Sequence, residues 1–409
     1  NSKLLLLKKM IEILNIFYLL AISSIIFSFP FNNLYLKKKF FLTKLNLFEI
    51  YSLNTLIILT VFFIFSFFGI NINFIFFSIL FLSLINFFYI DWKLFFNNFY
   101  LLIFFSLFYL VFSVEISTYP YLEWDAAVNW IFKTLNFKNN YSFQNLENVP
   151  GILGYPHLGT FIWAFFWEIS FINHEYTGRL SFIFIYLLVF FSIIERLKIN
   201  HFLKIVFLIF LIVISFDRIL VNGYQEPLMF SLCAIFIMLL TQIHSSKNNF
   251  LIFLFMLICA NLILWVKNEG MFFLMFLSIF ILFKKQIENK YKLFLISFFI
   301  FLIFFKKYIF IYLFGNITFG WQGYEFLPIN DLFSFEILQR LPFLLFQVLM
   351  GFIKYPIYIV FILCFLIILI REKKISSSLD FLLFFLINIF LFTFLEILFL
   401  GGKVMNSCQ

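Results

Sequence analysis

The stretch ILWVKNEGMFFLMF (Ile263–Phe276) decides how this chain is read. Ten of its fourteen residues suit hydrocarbon, yet Lys267, Asn268 and Glu269 stand together in the middle, just ahead of Gly270. A charged side chain at bilayer depth costs about 3 kcal/mol or more, so it is normally paired, hydrated or in use. The triplet is therefore expected at a membrane face, where one apolar run ends and the next begins.

Such runs recur along the chain. Of 409 residues, 64% are hydrophobic and 12% charged, and 74 are Phe. Runs of about twenty apolar residues match a hydrocarbon core of roughly 30 Å. They lie near 11–30, 51–70, 72–90, 98–116, 180–195, 203–219, 227–243, 249–266, 270–283, 293–314, 353–370 and 378–400. The expected fold is an all-α polytopic membrane protein of about twelve transmembrane helices, with amphipathic helices beside the outer face. Its divisions are N-terminal helices (1–116), an outer loop (117–172), central helices (173–314), then a second outer segment with the C-terminal helices (315–409). The first run lacks a small-residue cleavage site, so no cleavable signal is expected.

The net charge of +9 is a matter of topology. With the 117–157 loop outside and 158–172 not crossing, the inner loops hold sixteen Lys and Arg and the outer loops eight. That is the positive-inside pattern. No nucleic-acid partner is expected; the membrane lipids are the surroundings. Cys233, Cys259, Cys364 and Cys408 have no ligand spacing, and the four histidines do not cluster, so no metal site is read from them. One or two outer carboxylates holding a divalent cation would leave no spacing signature, so that cofactor stays open.

Every polar cluster of interest then faces one side: EWDAAVNWIFK, GYPHLG, DRILVNGYQEP, VKNEG and GWQGYE. In the first, Asp125, Asn129 and Lys133 recur every four residues, within about 80° of one another on a helix. Trp124, Ala127, Val128, Ile131 and Leu135 form an apolar stripe beside them. A helix of this kind lies in the interface with its polar face toward a cavity, or is simply a surface helix with incidental charge. In the second cluster, Gly and Pro break any preceding helix, and the run 158–172 with Glu168 is short enough to be re-entrant. His157 is either an acid–base group or a hydrogen-bonded interfacial histidine.

The elements WDAAVNWIFKTLNF, GYPHLGTFIWAFFW, NGYQEPLMFSL and WVKNEGMFFL follow in that order with apolar runs between. This resembles bacterial members of the GT-C superfamily of integral membrane glycosyltransferases, whose relatives include protein O-mannosyltransferases and aminoarabinose transferases. The resemblance covers roughly 117–276, and more loosely extends to about 370. Glu226 stands where that family more often has Asp, His157 follows Tyr155-Pro156 where Pro is common, and four expected spans precede the acidic loop instead of one. The resemblance implies a polyprenyl phosphate or diphosphate sugar donor, used outside the membrane on a hydroxyl acceptor (a glycolipid, polysaccharide or protein), with inversion.

The residues suit that chemistry. A hydroxyl attacking an anomeric carbon needs a base, and Asp125 is the candidate. The leaving phosphate gains negative charge, which Lys267 is placed to stabilise, with Arg218 second and Lys306-Lys307 third. The alternative for Lys267 is a Lys–Glu pair easing a kink, and for Lys306-Lys307 it is snorkelling to the interface. Glu226 could bind a sugar hydroxyl or hold Arg218 or Lys267; Tyr224 and Gln225 also suit hydroxyls. Glu269, Asn129, Lys133, Tyr155 and His157 complete the candidate substrate-binding set. The competing functions are a transporter or lipid flippase, for which no internal two-fold repeat is found, and a polysaccharide polymerase or ligase.

Overall fold

The computed structural model describes residues 2–40, 42, 45–150, 153–197, 199–215, 221–242, 249–283 and 287–315, with residues 342 and 346. The expected spans 353–370 and 378–400 lie outside the described residues. Among those described, the chain is helical and no strand forms; Asn33 and Ile90 make one isolated bridge. In order, the α-helices are α1 (Ser2–Ile26), α2 (Leu34–Lys39), α3 (Leu47–Ser66), α4 (Ile72–Phe87), α5 (Trp92–Asn97), α6 (Phe99–Thr118), α7 (Ile131–Lys138), α8 (Leu158–Glu168), α9 (Tyr176–Arg196), α10 (His201–Ser215), α11 (Glu226–Gln242), α12 (Asn249–Val266), α13 (Gly270–Phe283) and α14 (Asn289–Phe314). A π-helical turn (Ala126–Trp130) runs into α7, and a 3-10 helix spans Phe143–Asn148.

Two compact units divide the chain: Asn1–Met271 with Ile300–Gly315, and Phe272–Phe299 with Asn316–Gln409. In the second, Lys292 Nζ donates to the Leu282 carbonyl at 2.9 Å. The first unit holds the candidate site.

Ten of the twelve expected spans coincide with a described helix. Five described helices are long and apolar enough to cross a membrane: Lys9–Ile26 within α1, then α3, α6, α9 and α14. The apolar helices α4, α10, α11, α12 and α13 are shorter. Apolar residues continue past the helix ends into turns, as at 67–70 and 88–90, so run length overstates helix length. Local chemistry sets those ends. Asn71 caps α4 by accepting from the Asn73 and Phe74 N–H groups, and Glu49 closes a capping box with Asn46 at the start of α3.

The buried α9 is the axis of the first unit, packed against α1, α3, α6, α8, α10 and α11. It is bulky and apolar nearly all round, as a helix without a solvent face should be. Helix α8 does not cross the bundle. One end begins at His157, which bonds Ser66 at the end of α3, and its last residue Glu168 pairs with Lys138 (3.0 Å) and with Asn73 at the start of α4 (3.3 Å). Since α3 and α4 are joined by the short 67–71 turn, both ends of α8 sit at the same end of that hairpin. Its eleven residues are about 16 Å long, and Leu158 to Phe166 are buried.

Candidate functional site

Three segments build the site, and one buried arginine ties two of them together. Arg179, in the first turn of α9, donates from Nη1 to the carbonyls of Tyr121 (3.0 Å) and Val221, and from Nη2 to Glu175 (2.7 Å). The Glu123 N–H donates to the Asn222 carbonyl at 3.1 Å, and Asn222 Nδ2 to Glu123 Oε1 at 3.2 Å. Gly223 sits between them at φ +90°, and a Cβ there would lie 2.9 Å from Ala126 Cβ and Leu122 Cδ2. Only glycine meets both conditions. The loop carrying Asp125 and the turn carrying Tyr224, Gln225 and Glu226 are thus one body.

The helix beyond Asp125 is two-sided. Asn129 and Lys133 are each 1% exposed, whereas Trp124, Val128 and Leu135 are 58%, 38% and 37% exposed. Its polar face points inward and its apolar stripe outward, as an interfacial helix requires. It opens as a π-turn instead of a regular α-helix; such turns recur at functional sites.

The third segment is the triplet, a turn between α12 and α13. A Cβ on Gly270 would stand 2.5 Å from the Ile263 carbonyl oxygen, which explains the glycine. Lys267 Nζ donates to Glu226 Oε1 at 2.7 Å and lies 3.5 Å from Glu269 Oε1. Asn268 is a strut. Its Nδ2 donates to the Gly154 carbonyl (3.2 Å), and its Oδ1 accepts from Lys306 Nζ (2.9 Å), which also donates to the Leu264 carbonyl (2.7 Å). Lys306 is buried at 3% exposure, so it does not snorkel to the interface.

Lys133 serves the GYPH turn. Its Nζ donates to the Tyr155 carbonyl at 2.8 Å, with the Leu153 carbonyl at 3.5 Å. The Tyr155 ring lies 5.0 Å from that of Trp130. His157 is fully enclosed, not interfacial: Nε2 bonds Ser66 Oγ at 2.7 Å, and the ring meets Phe143 at 4.1 Å and Trp265 at 5.2 Å. Burial, then the Lys133 and Lys306 charges, hold its imidazole well below the usual histidine range. Burial also lowers the Lys133 ammonium to about 7, with Lys306 adding to the effect.

The electrostatics join the three segments. Burial raises the half-buried Asp125 carboxyl above its ordinary range; Lys267 opposes this, Glu226 and Glu269 add to it, and the neighbouring Asn129 side chain opposes it. Tyr224 is raised first by burial, then by Asp125, Glu123 and Glu226. For Lys267 burial works downward, but Glu269 and Glu226 outweigh it and the net shift is upward, keeping the cation. Asp125, Tyr224, Glu226, Lys267 and Glu269 therefore share one field, in which three carboxylates face one ammonium.

Of the expected site residues, Arg218 lies outside the described residues. Among the described residues no group of three or more His, Cys, Asp or Glu side chains is placed to hold a metal ion. Reading the sequence missed Arg179 and the Glu123–Asn222 pair as the clamp of the site. Arg179 was visible only as one more outer cation; its backbone partners have no sequence signature. The chain matches no family model, no curated protein and no solved structure.

Proposed function

We propose that this protein is an integral membrane glycosyltransferase of the GT-C kind. It moves a sugar from a polyprenyl-phosphate-linked donor to a hydroxyl acceptor at the outer face of a bacterial cytoplasmic membrane. The observation that carries the reading is that Lys267 of the triplet pairs with Glu226 at 2.7 Å, on a turn that the Asn222–Glu123 bond (3.2 Å) holds against the loop of Asp125. The order of the quoted motifs supports the family, and the excess of Lys and Arg in the opposite loops supports the orientation.

In the proposed reaction the Asp125 carboxylate takes the proton of the acceptor hydroxyl. The acceptor oxygen bonds to the anomeric carbon as the bond from that carbon to the phosphate oxygen breaks, and the electron pair leaves on the lipid phosphate. A single displacement inverts the anomeric centre and needs no nucleophilic carboxylate. A carboxyl raised above its usual range is a stronger base than an ordinary aspartate. Lys267 spends donors on Glu226 and Glu269, and a further N–H meets the phosphate oxygen as its charge grows. Tyr224 and Glu226 hold sugar hydroxyls.

The test is transfer of radiolabelled sugar from a panel of polyprenyl-phosphate donors in reconstituted membranes. Wild type should transfer from at least one donor, and Asp125→Asn and Lys267→Met, folded as judged by melting temperature, should retain only a small residual rate. Full activity in both variants would sink the assignment of the site; no transfer by wild type across the panel would sink the reaction.

A further inference from the structure

Gln225 belongs to no ion pair, yet it is the most completely buried polar side chain of its turn, at 0% exposure. Neither its Oε1 nor its Nε2 has a hydrogen-bond partner. Its amide lies over Gly159, in the first turn of α8, so closely that a Cβ on that glycine would come 1.4 Å from Oε1 and 2.5 Å from Cδ. Glycine at 159 makes the room that the amide fills. Next in sequence, Glu226 gives Lys267 one oxygen and keeps the other, Oε2, buried and unpartnered. Asp125, in the same electrostatic field as Glu226, keeps Oδ1 buried and unpartnered as well.

Folded proteins satisfy nine in ten or more of their buried polar groups, because an unsatisfied one loses its bonds to water and gains nothing. Four such atoms on three neighbouring side chains are therefore costly, and the fold goes out of its way, at Gly159 and at Gly223, to keep the turn seated here. Charge narrows what they can serve. Three carboxylates against the single Lys267 ammonium disfavour an anion beside them. Carboxylate oxygens accept only, and a carboxamide both donates and accepts. The complement is a neutral group rich in hydroxyls, each able to give one hydrogen bond and take another.

We propose that Gln225, with Asp125 Oδ1 and Glu226 Oε2, forms a subsite for the neutral hydroxyl-bearing part of a ligand, a hexopyranose ring, and that Gln225 is its specificity-determining residue. The identity of the ligand as a transferred or accepting sugar rests on the function proposed above; the subsite itself rests on burial and unsatisfied polar atoms. Lipid phosphate then lies to the Lys267 side, away from the amide.

The experiment is direct binding of methyl hexopyranosides to the full chain in a sugar-free detergent, by saturation-transfer NMR and titration, with inorganic phosphate as the anionic probe. Wild type should bind at least one neutral glycoside saturably, with phosphate present or absent. Gln225→Met keeps the side-chain length and removes both unsatisfied atoms. It should melt at or above the wild-type temperature without ligand and bind the glycoside at least tenfold more weakly. Gly159→Ala should weaken binding too, because the new Cβ displaces only the flexible end of Gln225. Unchanged binding by Gln225→Met would overturn the proposal in favour of a packing role, as would no glycoside binding by wild type. The two readings separate cleanly. Glycoside binding through Gln225 without any transfer sinks the transferase and leaves the subsite standing. Transfer at wild-type kcat/KM by Gln225→Met sinks the subsite and leaves the transferase.

Discussion

The two ends of α9 each carry a knot of buried charge, about 30 Å apart along its twenty-one residues, and they are built on opposite terms. At the far end, Glu195 uses both oxygens to accept from the Leu47 (3.0 Å) and Phe48 (2.8 Å) N–H groups at the start of α3. Glu49 accepts from its own N-cap (2.9 Å), from Arg196 Nε and from Gln242 Nε2 (3.4 Å), and Ser52 bonds Ser192 at 2.8 Å. Both carboxylates there have every oxygen engaged. At the near end, Asp125 Oδ1, Glu226 Oε2 and both amide atoms of Gln225 are left over. A closed network locks helices together. An open one retains polar capacity for something else, at a standing cost in stability.

The contrast is broken or sharpened by substitution. The largest effect is expected of Asp125→Asn, which should lower transfer by about 10²–10⁴-fold, the scale of a lost general base. It should leave the melting temperature equal or higher, since an ionised carboxylate no longer has to be kept partly buried. Glu195→Ala should do the reverse: about 3 kcal/mol of stability lost, because two helix-terminal donors are orphaned, with transfer per folded molecule unchanged. Equal losses of stability in the two variants would erase the distinction between the ends.

A smaller effect concerns pH. Asp125 must be ionised to act as base, so activity should fall as pH drops through its raised pKa. Lys267 is the main group pulling that pKa down. Lys267→Met should therefore move the acid limb of residual kcat/KM to higher pH, and a limb that stays put would remove Asp125 from that role. The smallest effect belongs to Lys133. Its folded pKa of about 7 lies below the ordinary lysine value of 10.5, so the unfolded chain binds more protons between those limits. Its contribution makes stability rise with pH from 7 toward 10.5 and stay flat below 7. Lys133→Met should flatten that rise in a series of melting curves.

Much of the near end was legible before any coordinates. The stripe of Trp124, Val128 and Leu135 beside Asn129 and Lys133 gave the correct outward and inward faces, because helical periodicity maps directly onto burial. The triplet ahead of Gly270 announced a turn, and that glycine stands where a side chain would collide. Helix length was less legible, since phenylalanine and isoleucine run on into the turns at 67–70 and 88–90 without a change of composition. His157 and Lys306 were read as interfacial and are interior, because a lone polar residue beside an apolar run says nothing about what packs over it.

What the sequence determined by itself is therefore the helical, apolar character of the chain and the order of its polar motifs. These follow from local properties: hydropathy, period, and the turn-forming residues. Tertiary structure alone decided which motif touches which. Arg179 reaches carbonyls 58 and 42 residues away, Asn268 braces Gly154 across 114 residues, and Gln225 fills the space left by Gly159. Such contacts use backbone carbonyls and missing side chains, which carry no letter in the sequence, so only the packed helices could bring them into view.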